Sequence, residues 1–383
     1  MNKEIQKENN EVSEKEIVKK LNTINKHFNS EYTINIIENI IKPISKVWFR
    51  SQFIGFENFP KRNNTNSPLI FATNHSGMAF PWDAIMFSEK FIREFNFGTD
   101  SMRVLVSPTL THFRFMSAFL IKNIWHKVGG VNATVENFDA MMLDNNHNVL
   151  IYPEGVPGIA KGFDKRYQLQ EFKTSFVRMA IKYQTDIIPF ATVNGEFINP
   201  LSYKSKKLNK LAQSLGMPFL PKGITTIIAI IQPWFFYVSF PAKLTFVAGK
   251  RIKFNDLTDK KYEDISHSEF KNIAEKVRTK MQQHLNDSKE IYGKKPYKFG
   301  ELLKEMFLNI KYFHKYLICF WAVVFTDFDF RFMQKKQDLT EYKVNIFKII
   351  LAFFRNPTLI LFYIPIIGWI PIFYICYKEK SAE

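Results

Sequence analysis

Five short runs rich in β-branched and aromatic residues, at 69–73, 103–106, 149–152, 187–193 and 244–247, constrain this chain more than any other feature. Between them, residues 83–94, 110–124, 135–143 and 169–183 carry apolar side chains at helical spacing. Strands alternating with helices bury both faces of a sheet, so the expected fold class is α/β, with a central mostly parallel or mixed sheet flanked by helices. In such sheets the working residues gather in loops that leave strand ends. Two loops stand out, Asn74 to Asp83 after the first run and Pro153 to Gly158 after the third.

Ahead of the sheet, residues 1–13 read as a loose polar tail, and 14–50 as two helices. Ser13 and Glu16 have capping-box spacing, and Ile34, Ile37, Ile40, Ile41 and Ile44 recur on one helical face, interrupted by Pro43. The first residues lack the apolar core of a signal peptide, which favours a cytoplasmic start. Cys319 and Cys376 are the two cysteines; with no CxxC pair, neither a disulfide framework nor a structural zinc site is expected.

The formal charge is +17, and there are 40 Phe and 6 Trp. Basic charge with surplus aromatics fits a nucleic acid or an anionic membrane, and location separates the two. From Phe197 through Asn255 there is no Asp or Glu but nine Lys or Arg, surrounding the uncharged apolar run 224–240. That run is too short to span a bilayer and is expected to lie in its interface. Residues 356–377 are uncharged and of about spanning length, but Pro357, Pro365 and Pro371 argue against one straight helix. A kinked span, a re-entrant hairpin and a monotopic anchor all fit. Between these regions, 266–285 reads as a polar helix and 294–298 as a basic linker. No nucleic-acid-binding module is recognisable, so membrane lipid is the expected partner.

In the first loop a His leaves a strand end and an Asp follows at a helix start, a base with an orienting carboxylate. Gly77 and Pro81 bend the intervening stretch so that Asp83 can fold back to His75. In the second loop, Gly155 and Gly158 let backbone N–H groups face a ligand, Glu154 adds an acceptor, and Lys161, Lys165 and Arg166 follow. There is no G-x-S-x-G elbow and no Walker A run.

The blocks NHSG…PWDA, VGGVNATVEN, YPEGVPG and IIPFATVNGEF, in this order, resemble those of the glycerolipid acyltransferase family, the lysophospholipid acyltransferases. The resemblance runs from Trp48 to Phe254. It implies an acyltransferase domain, here over 51–292, and composition sets 293–383 apart as a basic linker and a membrane-associated hydrophobic region. It also implies acyl transfer from acyl-CoA or acyl-carrier protein to a lipid hydroxyl, at the cytoplasmic face of a membrane. His75 would be the general base and Asp83 its orienter. Asn74, Ser76, Gly129, Asn132, Thr134, Pro153, Glu154, Gly155, Lys161, Lys165 and Arg166 would bind substrate. No metal or redox cofactor is implied.

The chain departs from the family pattern. Seven residues separate His75 from Asp83, where four are usual, so the pair survives only if the loop bulges. The arginine usual in the second block is absent, with Asn132, Ala133 and Thr134 in its place, and Val156-Pro157 replaces Thr-Arg in the third. Three readings stay open: an acyltransferase on a lysophospholipid, one on a phosphate-free lipid hydroxyl with Lys161, Lys165 and Arg166 as surface charge, and a catalytically degenerate membrane-binding homologue.

Overall fold

A computed structural model describes residues 15–78, 80–94, 101–214, 217–335, 345–355 and 357–380. The expected tail 1–13 and the Ser13 cap lie outside the described residues. Among those described are seven strands: β1 (Gln52–Ile54), β2 (Ile70–Thr73), β3 (Ser101–Val106), β4 (Gly130–Asn132), β5 (His147–Ile151), β6 (Ile187–Val193) and β7 (Thr245–Ala248). They form one sheet in the order β1-β7-β6-β2-β5-β3-β4. Every pairing is parallel except β6 with β7, so the sheet is mixed.

Strand β2 is central, and all four of its residues are buried, as a strand covered on both faces must be. Side chains alternate across it: Leu69 and Phe71 join one core, Ile70 and Ala72 the other. The first core holds the helix Trp82–Glu94 and the bent N-terminal segment. The second is covered by Val135–Met141, Ser175–Lys182 and the long helix His267–Tyr292. That long helix starts at Ser266 with a complete capping box to Glu269.

The N-terminal segment is helical over residues 15–26 and again from Ser30 to Phe49. Around Pro43 it widens into π turns, at Ile37–Ile41 and Ile44–Phe49. Proline has no N–H and crowds the carbonyl four residues back, and a wider turn relieves both.

Residues 110–124 differ from the single helix their spacing predicts. They split into the end of Pro108–His112, two 3-10 turns and the start of Ile124–Lys127, with Phe119 and Leu120 at positive φ. Phe115, Met116, Phe119 and Ile121 are buried all the same, so burial and not helix periodicity set the pattern. The expected helix 169–183 starts only at Ser175. Backbone N–H groups upstream go elsewhere, from Gln170 to Glu154 and from Lys173 to the Pro153 carbonyl.

The C-terminal region does not stand apart from the domain. Trp321, Val324, Phe325 and Phe328 are buried in the first core, where Trp321 packs against Phe49 and Trp82. Residues 357–377 form no single straight helix: the helices Thr358–Tyr363 and Trp369–Lys380 are joined by a break with Ile366 at positive φ. Trp369 Nε1 donates to the Ile230 carbonyl at 2.7 Å, which docks this pair on the helix Ile224–Ile231. Among the described residues no helix is long and apolar enough to cross a membrane.

Candidate active site

His75 leaves the C-terminal end of β2, and Asp83 lies in the first turn of Trp82–Glu94. Their connection bulges as the long spacing requires. Gly77 sits at φ +115, and a Cβ there would lie 2.7 Å from Ile198 and 2.9 Å from the Gly195 carbonyl. Only glycine fits that conformation and that gap. The next residue is held by Met78 N–H to the Ile159 carbonyl at 3.0 Å, and by Asn199 Nδ2 to the Met78 carbonyl at 2.8 Å. Trp82, fully buried, donates from Nε1 to the Tyr237 carbonyl at 2.8 Å and seats the helix start.

This brings His75 Nδ1 to 2.7 Å from Asp83 Oδ2. Asp83 is 0% exposed, and it also accepts from the backbone N–H of Ser76 (3.1 Å, Oδ2) and Ala84 (2.9 Å, Oδ1). A carboxylate bound on both oxygens has no freedom to turn away. It fixes the ring and leaves Nε2 for a substrate proton. The Tyr152 ring lies 4.3 Å from the His75 ring, centre to centre.

Glu154 lies against the His75 backbone and is 0% exposed. Its Oε1 accepts from the His75 backbone N–H at 3.1 Å and its Oε2 from Gln170 N–H at 2.6 Å, so it ties the first loop to the second. Gly155, at φ +58, turns the chain directly after it. Burial raises the Glu154 pKa, against the pull of Lys161 and of the two N–H donors. Lys161 is itself buried, with Nζ 3.1 Å from Glu196 Oε1. Desolvation works against its charge, but Glu196 and Glu154 outweigh it and raise its pKa. Burial, and then the charge of Asp83, hold the Tyr152 phenol well above its ordinary value. Its hydroxyl, like Ser76 Oγ, is buried without a hydrogen-bond partner.

His75, Tyr152, Pro153 and Gly155 line one cavity of about 450 Å³. It follows one face of Trp82–Glu94 past Ile85, Ser88, Glu89 and Ile92, and its walls include Val104, Leu110, Trp125, Phe138, Phe236 and Phe325. From Asp83 to Glu89 that helix advances six residues, about 9 Å at 1.5 Å each, and Ile92 lies further still. An extended alkyl chain fits such a channel, with its polar end at the imidazole.

The remaining residues singled out in the sequence are spread more widely. Asn74 clamps β6, donating to the Thr192 carbonyl and accepting from its N–H. Gly129, at φ +91, packs against Arg103; Asn132 accepts from Thr111 Oγ1 at 2.7 Å; Thr134 caps the helix Val135–Met141. None of these lines the cavity, although their neighbours Gly130 and Ala133 do. Lys165 and Arg166 are exposed, and Arg166 lies over the Phe163 ring. Of the described lysines and arginines, the one lining the cavity is Lys173, which the sequence pattern did not single out.

A hydrogen-bonded His–Asp pair alone is weak grounds for catalysis. Asp144 and His147 form another at 2.8 Å, at the N-terminal end of β5, the strand beside β2, and away from the cavity. His75 differs by having an apolar, ligand-sized space against it. Among the described residues no group of three or more His, Cys, Asp or Glu side chains could hold a metal ion.

A family model described as Acyltransferase matches residues 50–193, which contain both loops. An uncharacterized protein of Mycobacterium tuberculosis is 27% identical over 227 residues, 59% of this chain and 57% of that protein. One of Mycobacterium leprae is 29% identical over 232 residues, 60% and 57%. The chain thus spans less than two thirds of the length of these relatives. A crystal structure of the 1-acyl-sn-glycerophosphate acyltransferase of Thermotoga maritima superposes with a TM-score of 0.35 at 16% identity. It covers 64% of this chain and 79% of that one, a likeness too loose to bear on the site. Residues 50–193, which carry the loops that hold His75, Asp83 and Glu154, are therefore similar to an acyltransferase domain.

Proposed function

We propose that the protein is a membrane-bound O-acyltransferase that transfers a fatty acyl group from acyl-CoA or acyl-carrier protein to the hydroxyl of a lysophospholipid. The observation that carries this reading is the His75–Asp83 pair, 2.7 Å apart, at an apolar cavity. His75 Nε2 takes the proton of the acceptor hydroxyl while its oxygen attacks the thioester carbonyl. The tetrahedral intermediate then collapses, the C–S bond breaks, and the imidazolium returns its proton to the leaving thiolate. Asp83 holds the tautomer and stabilises the imidazolium. Oxyanion charge needs a donor, and the Tyr152 hydroxyl, buried, unpartnered and kept protonated, is a candidate beside His75. Glu154 positions the His75 backbone.

Membrane association is supported by a surface that water does not favour. The helix Ile224–Ile231 exposes Ile224, Ile227 and Ile230, while Thr225, Thr226 and Ala229 line the His75 cavity. Beside it, the C-terminal helices expose Ile366, Ile370 and Phe373. Large contiguous apolar patches of this kind mark lipid or protein contacts, and nine cations without an acid over 197–255 favour an anionic lipid surface.

A phosphate-free acceptor is a second reading, favoured by one observation. Lys161 is committed to buried carboxylates, and Lys165 and Arg166 lie away from the cavity, which leaves Lys173. Incubating one labelled acyl-CoA with a lysophospholipid and with a phosphate-free monoacylglycerol separates the readings. Acylation of the lysophospholipid alone supports the first, and acylation of monoacylglycerol alone supports the second. Acylation of neither, with acyl-CoA or acyl-carrier protein as donor, contradicts both.

A further inference from the structure

A second pocket, of about 500 Å³, lies apart from the His75 cavity and shares none of its lining residues. It is bounded by the bent N-terminal segment, the far end of Trp82–Glu94 and the helix Phe299–Leu308. Seven cations line it against two carboxylates, Glu301 and Glu305. Lys42, Lys46 and Arg50 come from the N-terminal segment, and Lys90 and Arg93 from the helix that begins beside His75. Lys243 and Lys304 complete the set.

Some of these charges are already spent. Lys42 and Arg93 pair with Glu38, Arg93 also with Glu89, and Lys243 with Glu301. These pairs alone are what an ionic tie between helices would show. Other groups are left over. Lys90 and Lys304 have no ion pair among the described residues. Arg50 is 7% exposed and Ser51 8%, both line the pocket, and Arg50 Nε and Ser51 Oγ are buried without a hydrogen-bond partner. The other guanidinium nitrogens of Arg50 donate to the carbonyls of Trp48, Pro241 and Tyr297, at 2.6, 2.7 and 2.7 Å. No carboxylate touches it; Glu301 and Glu305 act only through space, and burial lowers its pKa to about 10. A fixed, buried, spare N–H beside a spare hydroxyl and loose ammonium groups is a donor set waiting for an anion.

We propose that this pocket binds a phosphate ester, with Arg50 Nε and Ser51 Oγ donating to its oxygens and Lys90 and Lys304 supplying countercharge. A phosphate presents several strong acceptors, whereas a carboxylate presents two, and four donors from different directions suit the former. Glu301 and Glu305 are placed to accept from hydroxyls carried on the same ligand. The phosphate can come from a lipid headgroup or from a soluble phosphate ester. The neighbouring surface favours the headgroup, since the helix that supplies Lys304 also exposes Phe299, Leu303 and Phe307, the last at 78%. The proposal is independent of acyl transfer at His75.

The test uses the full chain, its Ser51→Ala variant and the double variant Lys90→Gln/Lys304→Gln, with melting temperature without ligand as the folding control. One arm titrates glycerol 3-phosphate against chloride at equal ionic strength and reads the melting temperature. The other measures co-sedimentation with phosphatidylcholine vesicles, with and without phosphatidylglycerol. A soluble ligand is indicated by a rise with glycerol 3-phosphate that both variants lose. A headgroup is indicated by binding to phosphatidylglycerol vesicles that weakens about ten-fold or more even in Ser51→Ala, the scale of one lost charge-assisted hydrogen bond. Ser51→Ala changes no charge, so a loss confined to the double variant means general attraction and overturns the site. A wild-type protein that responds in neither arm, or variants equal to it in both, overturns it as well. Should the double variant fail to fold, Ser51→Ala decides alone.

Discussion

The imidazole of His75 can take a proton only from a space that a substrate reaches, and Asp83 and Glu154 hold it there from two sides. Asp83 binds the ring; Glu154 binds the backbone. Both loops were legible in the sequence, as a His and an Asp at a strand end and a helix start, and a Pro-Glu-Gly turn after another strand. The bulge that closes the long spacing was legible only in part. Gly77 announced a bend, but its reason, the approach of Ile198 and Gly195, lies more than a hundred residues on. Tyr152 and the Lys161–Glu196 pair were missed as neighbours of the site for the same cause, since a buried contact between remote segments leaves no local pattern. Removing the Tyr152 hydroxyl in Tyr152→Phe leaves packing intact, and kcat is expected to fall about 100-fold with little change in KM or melting temperature. Lys161→Met strands Glu154 and Glu196 and is expected to cost about 3–5 kcal/mol in denaturant unfolding. The sign of its pH dependence follows. The folded pKa of Lys161 lies above its ordinary 10.5, so its stabilisation is complete below that value and is lost as pH rises through the folded one. Alkaline unfolding curves of the wild type should show this loss, and those of Lys161→Met should lack it.

At the scale of elements, the strands were the clearest in the sequence. The five expected runs coincide with β2, β3, β5, β6 and β7 within a few residues. Strands β1 and β4 have three residues each, too few for a period of two to register. The stretch 110–124 deceived for a physical reason: its aromatic side chains point inward from irregular backbone wrapped around the cavity, and burial without a helix imitates helical spacing. The helix Ile224–Ile231 forms the first half of the run expected at an interface, with one face on the cavity and the other exposed, Ile227 at 60%. Ile227→Asp combined with Ile230→Asp should lower co-sedimentation with anionic vesicles by about 100-fold, as two apolar side chains at about 1.5 kcal/mol each imply. Melting temperature should stay near that of the wild type, because neither side chain is buried. Unchanged co-sedimentation would place the membrane contact elsewhere.

Across the whole molecule, the sequence divides the chain more sharply than the fold does. Composition changes near residue 293, yet Trp321 and Phe328 complete the core around Phe49 and Trp82, and Phe325 walls the His75 cavity. The helix Trp321–Lys335 packs into that core with Trp321, Val324, Phe325 and Phe328. Truncation after Lys298 is therefore expected to abolish cooperative unfolding, because it removes Trp321 and its neighbours from a closed core. Circular dichroism on heating would check this, and a sharp transition in the shortened chain would mean that the core closes without them. Acyl transfer at His75 is the activity that the cavity and the His75–Asp83 pair support together. Transfer of labelled acyl groups from thioester to lipid acceptor should be measured with wild type, His75→Ala and Asp83→Asn, all at matched melting temperature. The account predicts a fall of about 10³-fold or more in kcat for His75→Ala and a clear loss for Asp83→Asn, on the scale general base catalysis supplies. Wild-type rates in both variants would contradict it.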